Sequence, residues 1–386
     1  MFELSPEQEL FRATVAEFVR RDVAPVATAL ERDGQYPEEL VRTMATMGLF
    51  GMTVPVELGG TAVDLVSYAL CFEELSKGWM GLAGILGSHS LACLLVARYG
   101  TEDQQRRFLP GMAVGERRCG IGLTEPGAGS DLQGIATRAR RDGTHYVTRG
   151  AKTWITNARH ADPLPVLVKT DPRADPPWRG MSVLLVEAST PGFTIGRDLG
   201  KLGYHGPETC EVHLDDAPVP DANLLGGVEG RGLQQVLAVL EVGRINVAAR
   251  AVGVAQAALE RSQGYAGQRR AFGRAIGEFQ AVQLKLADMA ISVQAARLLT
   301  WWAADQVQHG GRADRQSAMA KVFASETALR CAVDAMSIHG AYGYSTELDV
   351  ERLYRDAPLM VIGEGANDVL RTVIARRLEP SGVAGS

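Results

Sequence analysis

Apolar residues recur at helical spacing at both ends of this chain and at strand spacing in its middle. At the start, Ser5-Pro6-Glu7-Gln8 supplies an N-cap hydroxyl, a proline at the first helical position and a capping-box glutamine. Phe11, Val15, Phe18 and Val19 follow with charges between them, which predicts an amphipathic helix. The same period, broken at Tyr36-Pro37 and Leu58-Gly59-Gly60, continues to about residue 117. From 118 to 228 the pattern shortens to strand runs such as Thr144-His145-Tyr146-Val147-Thr148, Pro165-Val166-Leu167-Val168 and Met181-Ser182-Val183-Leu184-Leu185-Val186. Asp142-Gly143 and Arg149-Gly150 mark turns there, and most of the prolines fall in this stretch. From 229 the period is helical again and long, over Leu233 to Tyr265, Phe279 to His309 and Arg315 to Ile338. The pattern predicts an α+β protein with a helical domain at 1–117, a β domain at 118–228 and a second helical domain at 229–380. The tail 381–386 reads as disordered. Two helical regions flanking a β domain leave a cleft of the kind that holds a cofactor. No internal repeat is evident.

Composition narrows the function classes. The 386 residues carry 40 basic and 45 acidic side chains, a net charge of −5, so the chain offers no basic field for nucleic acid. Cys71, Cys93, Cys119, Cys210 and Cys331 are scattered without a C-x-x-C pair. An odd, dispersed set argues against a disulfide framework and points to a reducing compartment, here read as cytoplasmic. The N-terminus lacks the uninterrupted apolar core of a signal peptide. From Gly78 to Ala97 no residue carries a formal charge, the length of a membrane span. Four glycines and Ser88-His89-Ser90 make it poor for insertion, so the expectation is a buried helical hairpin and no span. There is no H-E-x-x-H and no G-x-S-x-G. Gly196 to Lys201 falls one residue short of a phosphate loop, with Leu202 in place of the metal-binding hydroxyl. No metal site is expected.

Three segments carry candidate chemistry. Leu123-Thr124-Glu125-Pro126-Gly127-Ala128-Gly129-Ser130-Asp131 cannot hold regular structure; its small residues expose backbone N–H groups, and Thr124 and Ser130 flank it with hydroxyls. Alone it is a tight surface loop. Trp154-Ile155-Thr156-Asn157 ends a strand, and alternation sets the Trp154 indole beside the Thr156 hydroxyl on one face. Alone, Trp154 is a core residue; with the glycine loop, the pair suits a flat, hydrogen-bonding ring system. Arg269 to Gln280 combines arginines, which can neutralise a pyrophosphate, with the aromatic Phe272, although by itself it is a solvated basic turn before a helix.

In that order and at those separations, T-E-P-G-A-G-S-D, W-I-T-N and R-x-x-F-G-x-x-I-x-x-F-Q resemble the acyl-CoA dehydrogenase family, from about Leu10 to Leu378. The resemblance implies a helical N-terminal domain, a small β-barrel-like middle domain and a C-terminal four-helix bundle. It also implies FAD between sheet and bundle, and a homotetramer built as a dimer of dimers. Leu123 and Thr124 would meet the flavin pyrimidine side, Trp154 and Thr156 the ring near N5, and Ser130 the cofactor and the pantetheine arm of the substrate. Arg269, Phe272 and Gln280 would reach the pyrophosphate and adenosine of FAD held mainly by a neighbouring subunit. Ser337, Gly340 and Ala341 would approach the adenine end, and Ala366, Asn367 and Asp368 would complete the cofactor site.

The resemblance makes Glu364, in Ile362-Gly363-Glu364-Gly365-Ala366-Asn367, the base that takes the α-proton of an acyl thioester while a β-hydride leaves for flavin N5. Its own N–H would help polarise the thioester carbonyl, with Gly365 beside the substrate. Some family members carry the base before an arginine on an earlier helix; the pair here is Gly243-Arg244, and glycine, without a side chain to accept a proton, cannot be a base. Arg244 would be the active-site arginine. Glu241 would line the substrate path or form a plain i, i+3 ion pair with it. Ala366, Ser337, Ala341 and Pro207 depart from the usual pattern without removing the chemistry. Gly363 stands where tyrosine is common and widens the pocket for a branched, cyclic or bulky acyl group. The implied reaction yields a trans-2-enoyl thioester in acyl metabolism and passes electrons to an electron-transfer flavoprotein. The alternatives are a flavin oxidase, a dehydrogenase of acyl-carrier-protein thioesters, and a flavin-free binding subunit.

Overall fold

The structure is a computed structural model that describes residues 3–310 and 313–378; the tail at 381–386 lies outside them. The N-terminal domain holds α1 (Pro6–Phe18), α2 (Ala24–Arg32), α3 (Glu38–Thr46), α4 (Leu65–Gly78), α5 (Met80–Tyr99) and α6 (Glu102–Ala113). Ser5 and Gln8 form the capping box that the first residues predict, Gln8 N–H donating to Ser5 Oγ at 3.2 Å and Ser5 N–H to Gln8 Oε1 at 3.0 Å. A π-helical turn at Val19–Val23 leads from α1 to α2.

The uncharged stretch is not a hairpin. It is the single helix α5, set off from α4 by an extended Trp79. Its glycines are points of close approach rather than turns: a β-carbon at Gly84 would overlap the Tyr204 phenol, and one at Gly87 would lie 2.9 Å from Asn246 Oδ1. By length and composition α5 could cross a membrane, yet it lies packed inside the protein.

The middle domain is a six-stranded mixed sheet of β1 (Arg138–Asp142), β2 (His145–Thr156), β3 (Leu164–Lys169), β4 (Met181–Val186), β5 (Phe193–Asp198) and β6 (Thr209–Pro220). The strand order is β4-β3-β1-β2-β6-β5, with β1 and β3 parallel and β4 and β5 at opposite edges. Alternate residues of β4 serve two cores. Leu184 and Val186 join the sheet's own cluster, while Met181, Val183 and Leu185 join a continuous core shared with the helices. This explains why that run is apolar throughout rather than alternating.

The C-terminal domain begins with the 37-residue α7 (Gly232–Gln268), about 55 Å long. A short hairpin of β7 (Arg270–Ala271) and β8 (Arg274–Ala275) leads to α8 (Gln280–Gln308), then α9 (Asp314–His339), α10 (Val350–Ile362) and α11 (Asn367–Arg376). α7 packs on α8, α9 and α10, completing the bundle, and its other side receives α4 and α5.

Candidate active site

The glycine-rich loop hangs on a buried ion pair. Lys152 Nζ on β2 donates to Glu125 Oε1 at 2.7 Å and to the Leu123 carbonyl at 3.1 Å. Glu125 also accepts the N–H groups of Ala136 and Thr137. Burial pushes Lys152 down to about 8; the same burial opposes ionisation of Glu125, but Lys152, Thr137 and the Ala136 N–H bring it below its usual value. Thr153 N–H donates to the Thr124 carbonyl, and Glu125 and Ala128 exchange backbone hydrogen bonds. Leu123 and Thr124 are thereby fixed at the sheet surface, and Ser130 stands exposed at the loop tip. Sequence reasoning passed over Lys152, whose only signal was a charge at an inward strand position.

Simple alternation does not set Trp154. Lys152 pairs with Val212 and Ile155 with Cys210, so Thr153 and Trp154 together face one residue of β6, a β-bulge. Trp154 takes φ +62° and stands 56% exposed, while Ile155 is buried and Thr156 half-buried. Trp154 is therefore not a core tryptophan. Asn157 ends the motif inward, its amide donating to the carbonyls of Ile85 at 2.8 Å and Cys119 at 3.2 Å, and so ties the strand end to α5.

Glu364 lies between α10 and α11 at φ +52°, an unfavourable region for a side chain other than glycine. The residue is half-buried, but its Oε2 is enclosed and has no hydrogen-bond partner. A β-carbon on Gly243 would overlap that oxygen and lie 3.2 Å from Leu91 Cδ1, so the bare helix surface at 243 is the wall against which the carboxylate rests. Burial raises the Glu364 pKa, opposed by Arg250, Lys321 and Arg244. Arg244 is itself buried, with an unpartnered Nε, and its pKa is lowered by burial against the fields of Glu241, Asp314 and Glu364.

Lys321 on α9 holds the segment that carries Glu364. Its Nζ donates to the carbonyls of Val361 and Gly365 and to Asn367 Oδ1, and burial brings its pKa to about 8. Asn367, expected in the cofactor set, lies at the base of this loop. Its amide is buried and hydrogen-bonded to Lys321, Ser325 and Glu326, and so braces the loop. Asp368 is exposed at the start of α11, next to the half-buried Ala366.

The remaining cofactor candidates gather elsewhere. Phe272, 95% exposed at φ +49°, meets Phe279 edge-on at 6.1 Å. Phe272, Phe279, Lys285 and Ser337 line one groove, with Lys285 Nζ donating to Ser337 Oγ at 3.0 Å. Arg269, Gln280, Gly340 and Ala341 are exposed nearby in sequence. Along straight α7, Arg269 lies roughly 37 Å from Arg244, so one chain does not bring this groove to Glu364. An exposed indole, hydroxyls and free loop N–H groups in one place, and arginines beside an exposed aromatic in the other, fit the two ends of a flavin dinucleotide.

Comparison with known proteins agrees. Three family profiles match in succession: acyl-CoA dehydrogenase, N-terminal domain, at residues 5–116; its middle domain at 120–217; and its C-terminal domain at 230–379. A probable acyl-CoA dehydrogenase of Bacillus subtilis (strain 168) is 43% identical over 379 residues, 98% of this chain and 99% of that protein. The butyryl-CoA dehydrogenase of Megasphaera elsdenii superposes with a TM-score of 0.94 at 36% identity, covering 98% of this chain and 99% of that one. A chain from work on the electron transferring flavoprotein of Acidaminococcus fermentans superposes at 0.95 with 37% identity, covering 98% and 99%.

Proposed function

The chain belongs to the acyl-CoA dehydrogenase family of FAD-dependent oxidoreductases, and on that premise we propose that it oxidises an acyl-CoA thioester to the trans-2-enoyl-CoA with Glu364 as base. The observation that carries this reading is the enclosed, unpartnered Oε2 of Glu364 in a slot walled by Gly243 and Leu91. Burial makes the carboxylate a stronger base than one in water. Arg250, Lys321 and Arg244 oppose that rise and favour the ionised form. Oε2 takes the α-proton, Lys321 keeps the segment in register, and the packed helices α5 and α7 exclude water that would weaken the base. FAD, when bound, supplies the acceptor for the hydride that leaves the β-carbon. Leu123, Thr124, Trp154 and Thr156 hold its ring end, and the Arg269–Gln280 segment of a second subunit its pyrophosphate end. The roughly 37 Å of α7 that separates Arg244 from Arg269 supports a dimer as the smallest complete unit, with electrons leaving to an electron-transfer flavoprotein. Five buried free thiols fit a reducing, cytoplasmic setting.

The test is an anaerobic titration with short, branched, cyclic and long acyl-CoAs. At least one class is expected to bleach the flavin band of the wild type. Glu364→Gln is expected to retain FAD and lose bleaching by about three orders of magnitude or more. Full-rate bleaching in that variant would overturn the assignment of the base.

A further inference from the structure

Beyond the base, α7 carries a second polar set on the face it turns toward α5. Asn246 and Arg250 follow Gly243 by one and two helical turns, so the three share a stripe. Opposite them, α5 presents Leu91, Gly87 and Gly84 in reverse order, against Gly243, Asn246 and the Tyr204 phenol respectively. The space that two α5 glycines leave is thus met by polar groups, where a hydrocarbon chain calls for aliphatic ones. Tyr68, Asn246, Tyr204 and Arg250 are all buried. Asn246 Nδ2 donates to Tyr68 Oη at 3.3 Å, which leaves Asn246 Oδ1 unpartnered.

Arg250 is the anomaly. Its Nη2 donates only to Met80 Sδ, its Nε has no partner, and its guanidinium lies over the Tyr204 ring at 5.3 Å. Among the described residues no carboxylate lies within ion-pair distance of it. A buried guanidinium without a counter-ion is costly, and an acidic ligand relieves that cost. The charge of Arg250 nonetheless reaches the slot: of the three cations that oppose the effect of burial on Glu364, it acts most strongly. Tyr204 keeps it there, with its own N–H donating to Asp356 Oδ1 at 2.6 Å.

We propose that Arg250 is the specificity-determining residue for the acyl end, and that the substrate is a short acyl thioester ending in a carboxylate. This rests on the dehydrogenase reading above. The chemistry of the step is unchanged: the α-proton goes to Glu364, the β-hydride to the flavin, and the terminal carboxylate is retained, paired with Arg250. Asn246 and Tyr68 border the path beside it.

Two readouts separate this proposal from the reading it rests on. The first is calorimetric binding to the flavin-loaded Glu364→Gln protein, which does not turn over, of succinyl-, glutaryl- and adipyl-CoA against butyryl-, pentanoyl- and hexanoyl-CoA. The second is anaerobic flavin reduction of the wild type by the same six esters. For at least one chain length the carboxylate-ended ester is expected to bind about 100-fold more tightly than its methyl-ended counterpart. Adding Arg250→Gln should bring that ratio to about one, and Arg250→Lys should restore part of it, whereas a merely structural arginine would leave the ratio unmoved. Equal or tighter binding of the methyl-ended series at every length, or a preference that survives Arg250→Gln, overturns the proposal. If Arg250→Gln fails to fold, the ratio in the Arg250→Lys protein decides: a ratio unchanged by lysine, whose ammonium cannot pair in the same fork, overturns it. Preferential binding without flavin reduction by any ester sinks the dehydrogenase reading and leaves this inference standing. Reduction by both series without preference does the reverse.

Discussion

Glu364 and Gly243 are one device in two residues. A carboxylate oxygen occupies the volume that any side chain at 243 would claim, so the base and a side chain at that helix position exclude one another in this geometry. Gly243→Ala is therefore expected to retain FAD and hold or raise stability, by up to about 1 kcal/mol from helix propensity. Its flavin-reduction rate is expected to fall about 100-fold, because the flexible carboxylate swings aside by roughly an ångström. Stopped-flow reduction beside a melting curve checks both halves. Burial also sets the pH behaviour. Proton abstraction needs ionised Glu364, whose pKa is raised above 4.5, so kcat/KM should fall on an acid limb that lies above 4.5. Lys321→Met removes an opposing cation and should move that limb to higher pH. The linkage has the opposite sign for stability. A raised folded-state pKa contributes stability that is present below 4.5 and lost as pH rises through it. Glu364→Gln should then melt above the wild type at neutral pH, with the gap closing by pH 4.5.

Helices α5 and α7 turn glycine into close approach. Adding a β-carbon at Gly84 meets the Tyr204 ring, a rigid group whose backbone is held by Asp356, so Gly84→Ala should cost about 1–3 kcal/mol in denaturant unfolding. Gly264 on α7 has nothing within 4 Å of its would-be β-carbon, and Gly264→Ala should gain up to about 1 kcal/mol. Equal effects of the two substitutions would refute this account of α5. The same glycines misled the reading of α5 as a hairpin, since glycine marks a turn or a contact and the local sequence does not say which. In β2 the period-two rule set Trp154 and Thr156 together but did not foresee the bulge. The extra residue there depends on the register with β6, a partner more than fifty residues away.

Across the whole molecule, the slot beside Gly243 and the Phe272–Ser337 groove beyond the end of α7 lie far apart along that helix, so the proposed dimer would make cofactor retention a property of the assembly. Arg269 is exposed, and Arg269→Ala should leave the melting temperature nearly unchanged while FAD affinity falls about 10- to 100-fold. The absorbance ratio after gel filtration measures it; full FAD retention would refute a role for Arg269. The domain plan was legible in the sequence because helical and strand periods are local and change near residues 118 and 228. The glycine loop, the W-I-T-N strand end, the arginine segment and Glu364 stood out as candidates because each is a short run of unusual chemistry. Lys152, Lys321 and Arg250 did not. Each is one charge in an ordinary helix or strand, and its meaning comes from partners 27, 40 to 46 and 170 residues away. Sequence by itself determined the three-domain plan and singled out the candidate reacting groups. Tertiary packing alone decided which charges are buried, which are paired and which are left facing a ligand, because burial depends on what the rest of the chain lays against a side chain.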